Sequence, residues 1–258
     1  EPGEDIRLAI LDPEGNERQV YTTNSDRGEQ EGPLSLKKGL NRVSWGLSYE
    51  RPDILEDAIF SLANTSGVQA MIGTHTVQLT VGDLVLEQPL RVRPDPRWEQ
   101  SAEDLRAQYD LTMQVKALLN ECHGLIGEIR SLRKQVQYTR ERLDKHNRSH
   151  EGFKALAKQV TDQLTDLEQQ LIQTKNESGQ DPINYPSMID DQMAYLYSIV
   201  NGQDARPTEG SYQRYRDLEQ QFLVFRQQYE VIKQNEVPSM NRMLEESELK
   251  PIEVVYDK

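Results

Sequence analysis

Four histidines, one cysteine and 43 acidic residues are the side chains that could bind a metal, move a proton or act as a nucleophile. His146 and His150 sit in HNRSH at i and i+4, a spacing that lets two imidazoles reach one ion from a single helix face. No third ligand lies nearby in sequence and the segment reads as a turn between helices, so a solvated turn is the preferred reading. Cys122 falls on a heptad core position, which makes it a small buried hydrophobe rather than a nucleophile. One cysteine also excludes an internal disulfide and a cysteine-based zinc site. His75 reads as a surface position on a strand, and His123 as a neighbour of the heptad seam. The pairs Asp190-Asp191 and Glu245-Glu246 are expected from composition in so acidic a chain, and no spacing sets two carboxylates across a cleft. P-loop, GxGxxG, GxSxG and HExxH patterns are missing. No catalytic, cofactor-binding or metal-ligating residue is assigned. Sequons at Asn64, Asn147 and Asn176 carry little weight in a polar chain.

The stretch INYPSMIDDQMAYLYSIVNGQDARPTEGSYQRY supplies the candidate interaction or structural corner: Tyr185, Tyr195, Tyr197, Asp204 and Arg206. Pro186-Ser187, with Asp190 following, predicts a capped helix start. Tyr195 and Tyr197 diverge by about 200° on a helix, so only one of them faces a core. Asn201-Gly202 predicts a helix end in a left-handed residue, and Asp204 is placed to pair with Arg206 across the turn. A helix-turn-helix corner is the preferred reading, and a ligand pocket the alternative.

These residues need elements to hold them, and the hydrophobic period changes once along the 258-residue chain. Residues 5 to 93 read as β: Ile6-Leu8-Ile10, then 19–23, then 40–47, then the hairpin THTVQLTVGDLVLEQPLRV turning at Gly82-Asp83. Pro89 demands an edge or a bulge. Residues 50 to 72 break the pattern as a long loop or insertion. Pro94 and Pro96 close this half, and Ser101 caps a helix with Glu103 and Asp104 in its first turn. Leu111, Val115, Leu118, Cys122, Leu125, Ile129, Leu132, Val136 and Leu143 then keep a 3/4 spacing. A helix over 101–146 would be roughly 65–70 Å long. A second helix carries Phe153 to Leu171 with Ser149 as its cap, a third spans 187–200, and a fourth spans 208–234. Pro238 opens a last short segment.

The expected class is α+β: an immunoglobulin- or fibronectin-like β-sandwich over 1–96, an antiparallel helical bundle with one long helix over 97–250, and an extended tail over 251–258. A net charge of −13 and a pI near 4.9 argue against nucleic acid and anionic membranes as partners. A mean hydropathy of −0.77 and no long apolar run argue against membrane insertion.

GLNRVSWGLSYERP (39–52), GTHTVQLTVGDLVLEQPLRVRPDPR (73–97), SAEDLRAQYDLTMQV (101–115) and the 183–212 stretch occur together and in order. In that combination the chain resembles the C-terminal region of bacterial proteins that carry a sortilin-type, or BNR-repeat, β-propeller, often labelled glycosyl-hydrolase-like. Gly46 departs from the Asp usual in that family after the Trp, and the propeller's S-x-D-x-G-x-T-W box is missing. The resemblance implies an extracytoplasmic bacterial protein, in the periplasm or at the cell surface, cut or truncated to this fragment. It implies no enzymatic role, no cofactor, and a partner in an upstream β-propeller of the same protein or of another, with other proteins open. The expected function is a non-catalytic support, spacer or docking module. The alternatives are an accessory part of a propeller hydrolase that contributes to its active site, and a free-standing coiled-coil adaptor.

Overall fold

The computed structural model describes residues 5–23, 31–34, 37–97, 99–145, 151–245 and 250–252. It is mixed α and β, a largely antiparallel sheet followed by helices. Two compact units share the chain: residues 1–52, 65–114 and 199–208 make the first, and 53–64, 115–198 and 209–258 the second. This division differs from a single cut at residue 96. The long helix starts in the sheet-bearing unit, and part of the 50–72 insertion belongs to the helical one.

In the first unit, β1 (Ile6–Leu11), β2 (Glu17–Thr22), β3 (Glu31–Pro33), β4 (Gly73–Val81) and β5 (Leu84–Val92) lie in the order β3-β2-β1-β4-β5. The short β3 runs parallel to β2, and the other pairings are antiparallel. Asp-Pro-Glu-Gly-Asn forms the first turn because Gly15 takes φ 87° while the Asp12 carboxylate receives the N–H groups of Glu14 and Asn16, both at 2.9 Å. Gly82, at φ 55°, opens the two-residue turn between β4 and β5. The register stacks Leu8, Leu79 and Leu86 across three strands, flanked by Val77, Val81, Leu84 and Leu90 on the same face. β5 is an edge strand, as Pro89 requires.

The strand expected over 40–47 does not form. Between residues 37 and 72 the only described pairing is a bridge from Ser48 to Gln69, extended by Tyr49 N–H to the Val68 carbonyl at 2.7 Å. The alternation of Leu40 to Leu47 failed as a signal because Leu40 and Leu47 point to solvent, and Leu47 adopts φ 54°. All described strands thus belong to one sheet. Gly67 makes the close approach at the bridge possible, since a Cβ there would stand 2.1 Å from the Tyr49 carbonyl oxygen.

The helices are α1 (Ala102–Lys145), α2 (Glu151–Leu171), α3 (Ile189–Asn201), α4 (Glu209–Val231) and α5 (Val237–Glu245). Ser101 caps α1 as expected: its Oγ accepts the Asp104 N–H at 3.0 Å and donates to the Asp104 carboxylate at 2.6 Å. In the helical unit α1 and α2 run antiparallel, as shown by Arg130 and Arg133 meeting Glu168 while Lys154 reaches Asp144 at 3.1 Å. The predicted seams are buried on both, and Leu119 and Ile126 widen the α1 stripe beyond a two-position seam. Ser149, the expected cap of α2, lies outside the described residues.

Pro238 stands at the second position of the short α5, where a last short segment is expected. The chain stays helical from α4 into α5 through a π turn, Ile232–Glu236, closed by Val237 N–H to the Ile232 carbonyl. A proline lacks the i→i−4 donor and crowds that carbonyl; the wider turn just before it relieves both problems. Ile252 is tied back by the Asn241 amide, which accepts its N–H at 2.7 Å and donates to its carbonyl at 3.1 Å. Most of the expected 251–258 tail lies outside the described residues.

Candidate functional site

The densest polar cluster of the first unit grows out of the β1–β2 turn. Buried Asp12, besides the turn N–H groups, accepts Arg18 Nε at 2.7 Å. Arg18 Nη2 then donates to the Tyr109 hydroxyl at 3.2 Å, and its guanidinium lies 5.2 Å above the Tyr49 ring. Tyr49 is fixed by the Ser48–Gln69 bridge, and its hydroxyl accepts the Met71 N–H at 3.1 Å. The same hydroxyl is hydrogen-bonded to His75 Nε2 at 2.8 Å. The buried Nδ1 of the same ring faces the Gly73 backbone without a well-formed hydrogen bond. Trp45 packs 5.3 Å from the His75 ring and 6.3 Å from Tyr49.

Electrostatics fit this arrangement. Burial opposes ionisation of Asp12, but the Asn16 N–H and Arg18 outweigh it and hold the carboxyl below its usual range. Burial also keeps His75 neutral by lowering its pKa, and pushes the Tyr49 hydroxyl well up. The cast of Asp, Arg, Tyr and His resembles a proton relay, yet the Tyr49 hydroxyl and His75 Nε2 face each other and the Asp12 carboxylate is taken up by the turn N–H groups, Asn16 and Arg18. The cluster braces the turn, the bridge and the start of α1. His75 is therefore not a surface position: it is fully buried, because the bridge segment covers the end of β4.

Beside this cluster the first unit holds a cleft of about 350 Å³, walled by Gly46, Leu47, Met71, Pro94, Gln108 and Asp204. Its floor is rigid: the buried Gln108 amide donates to the Val200 carbonyl at 2.9 Å. Leu47 is the one described non-glycine residue at positive φ. Amides, the carboxylates of Asp95 and Asp204, the Arg93 guanidinium, the Tyr109 hydroxyl and apolar side chains line it and can hold a small guest.

In the helical unit the buried titratable groups serve packing. Cys122 is fully buried and its pKa is raised well above its usual value by burial, as expected of an inert core thiol. Glu168 on α2 receives both Arg130 and Arg133. Burial raises Asp190 to a pKa of about 7, with Asp191 adding repulsion. Among the described residues no group of three or more His, Cys, Asp or Glu side chains could hold a metal; His146 and His150 lie outside them.

The predicted corner divides between the units. Tyr185, Tyr195 and Tyr197 belong to the helical unit, Asp204 and Arg206 to the first. Tyr197 is buried and Tyr195 exposed, the divergence expected of residues two apart. Tyr185 is part-exposed with Lys175 Nζ 5.8 Å from its ring. Arg206 does not pair with Asp204. Its guanidinium goes to Glu103 and Asp104 in the first turn of α1, where two carboxylates outcompete one. Gly202 is not left-handed either; α3 ends at Asn201, whose side chain clamps the bridge segment by accepting Gln69 N–H and donating to the Gly67 carbonyl, both at 3.0 Å. Sequence reading missed Asp12, Arg18, Tyr49 and Tyr109. Only Asp12 carried a local signal, as the first residue of an Asp-x-x-Gly turn.

Compared with known proteins, the chain matches no family model, no curated protein and no solved structure.

Proposed function

We propose that the chain is a non-catalytic accessory module of an exported bacterial protein, working in the periplasm or at the cell surface as support, spacer or docking surface for a sortilin-type β-propeller of the same protein or of a partner. The observation that carries the reading is the β5 side of one face of the sheet, which stays open while Ile6, Ile10 and His75 on the same face are covered. Leu84, Leu86 and Leu90 are exposed and continue a row with the half-buried Leu8, Val77, Leu79 and Val81. Apolar side chains contiguous across three strands mark a surface that another folded layer covers. In this reading the sheet is one layer of an immunoglobulin- or fibronectin-like sandwich completed from outside, and the helices form an antiparallel bundle. Engagement of the buried titratable groups in bracing supports a structural role over a catalytic one. The adaptor alternative is disfavoured because the α1 seam is buried within a single chain. The hydrolase alternative would act through the cleft at Leu47 and Asp204.

The test is binding between this chain and a sortilin-type propeller domain, measured by calorimetry. Association is expected, with loss on Leu84→Glu/Leu86→Glu while the unfolding temperature stays unchanged. Binding indifferent to that double variant, or turnover of a glycoside by the chain alone that Asp204→Asn abolishes, would overturn the reading.

A further inference from the structure

Residues 53–64 carry no helix or strand, yet they are held against the helical unit at both ends. The Asp53 N–H donates to Asn120 Oδ1 at 2.9 Å, and the Asn120 amide returns a bond to the Asp53 carboxylate at 3.0 Å. The Leu55 N–H donates to His123 Nδ1 at 3.4 Å. Asp57 pairs with Arg130 at 2.8 Å, and the Phe60 ring meets His123 edge-on at 6.0 Å. The Ile59 carbonyl accepts the Asn176 amide at 3.2 Å. The Ser61 N–H and hydroxyl both donate to Asp191, at 3.0 and 2.9 Å. Side chains of α1 and α3, with Asn176 from the loop after α2, therefore read the backbone of this segment at four positions, as a groove reads an extended peptide. Leu62, near its end, stays exposed.

We propose that residues 53–64 form an acid-releasable strap, seated on the helical unit at neutral pH and lifted from it at its Leu55 end when His123 takes up a proton.

The geometry makes His123 the weak point. Its ring is buried, Nδ1 must be unprotonated to accept the Leu55 N–H, and Nε2 has no partner. A second proton would replace the one acceptor by a donor and leave two buried N–H groups without an acceptor, one of them facing the Leu55 N–H. The charged groups around it are Asp57 on the strap, which favours the cation, and Arg130 on α1, which opposes it. Burial dominates and holds the imidazole near a pKa of about 4. A lowered histidine pKa gives stability that is present above the ordinary value near 6.5 and lost as pH falls towards 4, so the strap weakens on acidification. The remaining anchors, Asn120, Asn176 and the carboxylates of Asp57 and Asp191, keep the rest of the segment in place after the Leu55 end opens.

Amide exchange followed by NMR, corrected for the intrinsic pH dependence of exchange, tests the device on the whole chain. Protection at Leu55 is expected to drop at least tenfold between pH 7 and pH 4.5 while that at Leu132 in α1 stays constant. The drop should begin near the ordinary histidine value of about 6.5 and level off where the His123 imidazole signals titrate. His123→Gln, whose side-chain carbonyl accepts without titrating, should remove the pH dependence. Asp57→Asn, which removes the favourable counter-charge, should move the levelling-off to lower pH. Leu55 protection that is flat to pH 4.5, that falls together with Leu132, or that falls at a pH unrelated to the wild-type imidazole titration overturns the proposal. So does an unchanged fall in His123→Gln.

Discussion

The two compact units solve the problem of burial in opposite ways. The sheet-bearing unit leaves much of its apolar face open and is braced by a directed chain of polar contacts from Asp12 through Arg18 to Tyr109 and from Tyr49 to His75. The helical unit covers its apolar seams fully, and it tolerates buried groups whose ionisation is disfavoured, Asp190 and His123. Directed bonds confer order on a thin sheet with little core. A thick apolar core has enough surplus to hold a mismatched carboxylate. Removing single side chains should therefore hurt the first unit through lost partners and the second through lost packing.

The largest effect is expected from the packing side. Leu125→Asp places a charge without a partner in the α1 seam and should cost about 3–5 kcal/mol in urea unfolding. Unchanged unfolding combined with lost self-association would instead identify the seam as an interface. Next comes the bracing side: Asp12→Ala strands Arg18 and two turn N–H groups and should cost about 2–3 kcal/mol. The exposed Arg7–Glu17 pair beside it is the control, and Arg7→Ala should change stability by about 0.5 kcal/mol or less. If the two substitutions had equal effects, the contrast between the units would collapse.

The third prediction concerns the mismatched carboxylate. Asp190 has a raised folded pKa, about 7 against 3.8 for the free side chain, so its favourable contribution is present below about 4 and lost as pH rises through 7. Asp190→Asn keeps the acceptor for the Asp191 N–H and should stabilise the protein at pH 8 by about 2 kcal/mol, with the gain vanishing by pH 4. Thermal unfolding of both proteins at the two pH values checks the sign. The smallest effect is local: Ser101→Ala removes the α1 cap and should cost about 1 kcal/mol.

What the sequence disclosed follows from how far each signal reaches. The α1 and α2 seams were legible because each repeats over many turns, and Gly82-Asp83 and Ser101 were legible because turns and caps are local chemistry. The apparent strand at 40–47 misled because a short alternation does not distinguish a paired strand from an extended segment anchored by one bridge. Arg206 misled for a related reason: its partners, Glu103 and Asp104, are remote in sequence, and proximity favoured Asp204. The Tyr49–His75 contact and the seating of residues 53–64 depend wholly on tertiary approach, and no periodicity announces them.

Pro89 has a consequence for the concentrated protein. In the β4–β5 register the residues opposite Val81, Leu79 and Val77 direct their N–H groups inward, so Val85, Glu87, Pro89 and Arg91 face the free rim of the sheet. Three of those four positions present a donor, and the imide ring blocks the one between Glu87 and Arg91. An incoming strand would meet a broken ladder flanked by two charges of opposite sign. The sheet thus terminates itself at β5: it can be covered on its face yet resists being lengthened at its rim, which separates specific docking from fibrous growth in a single hairpin.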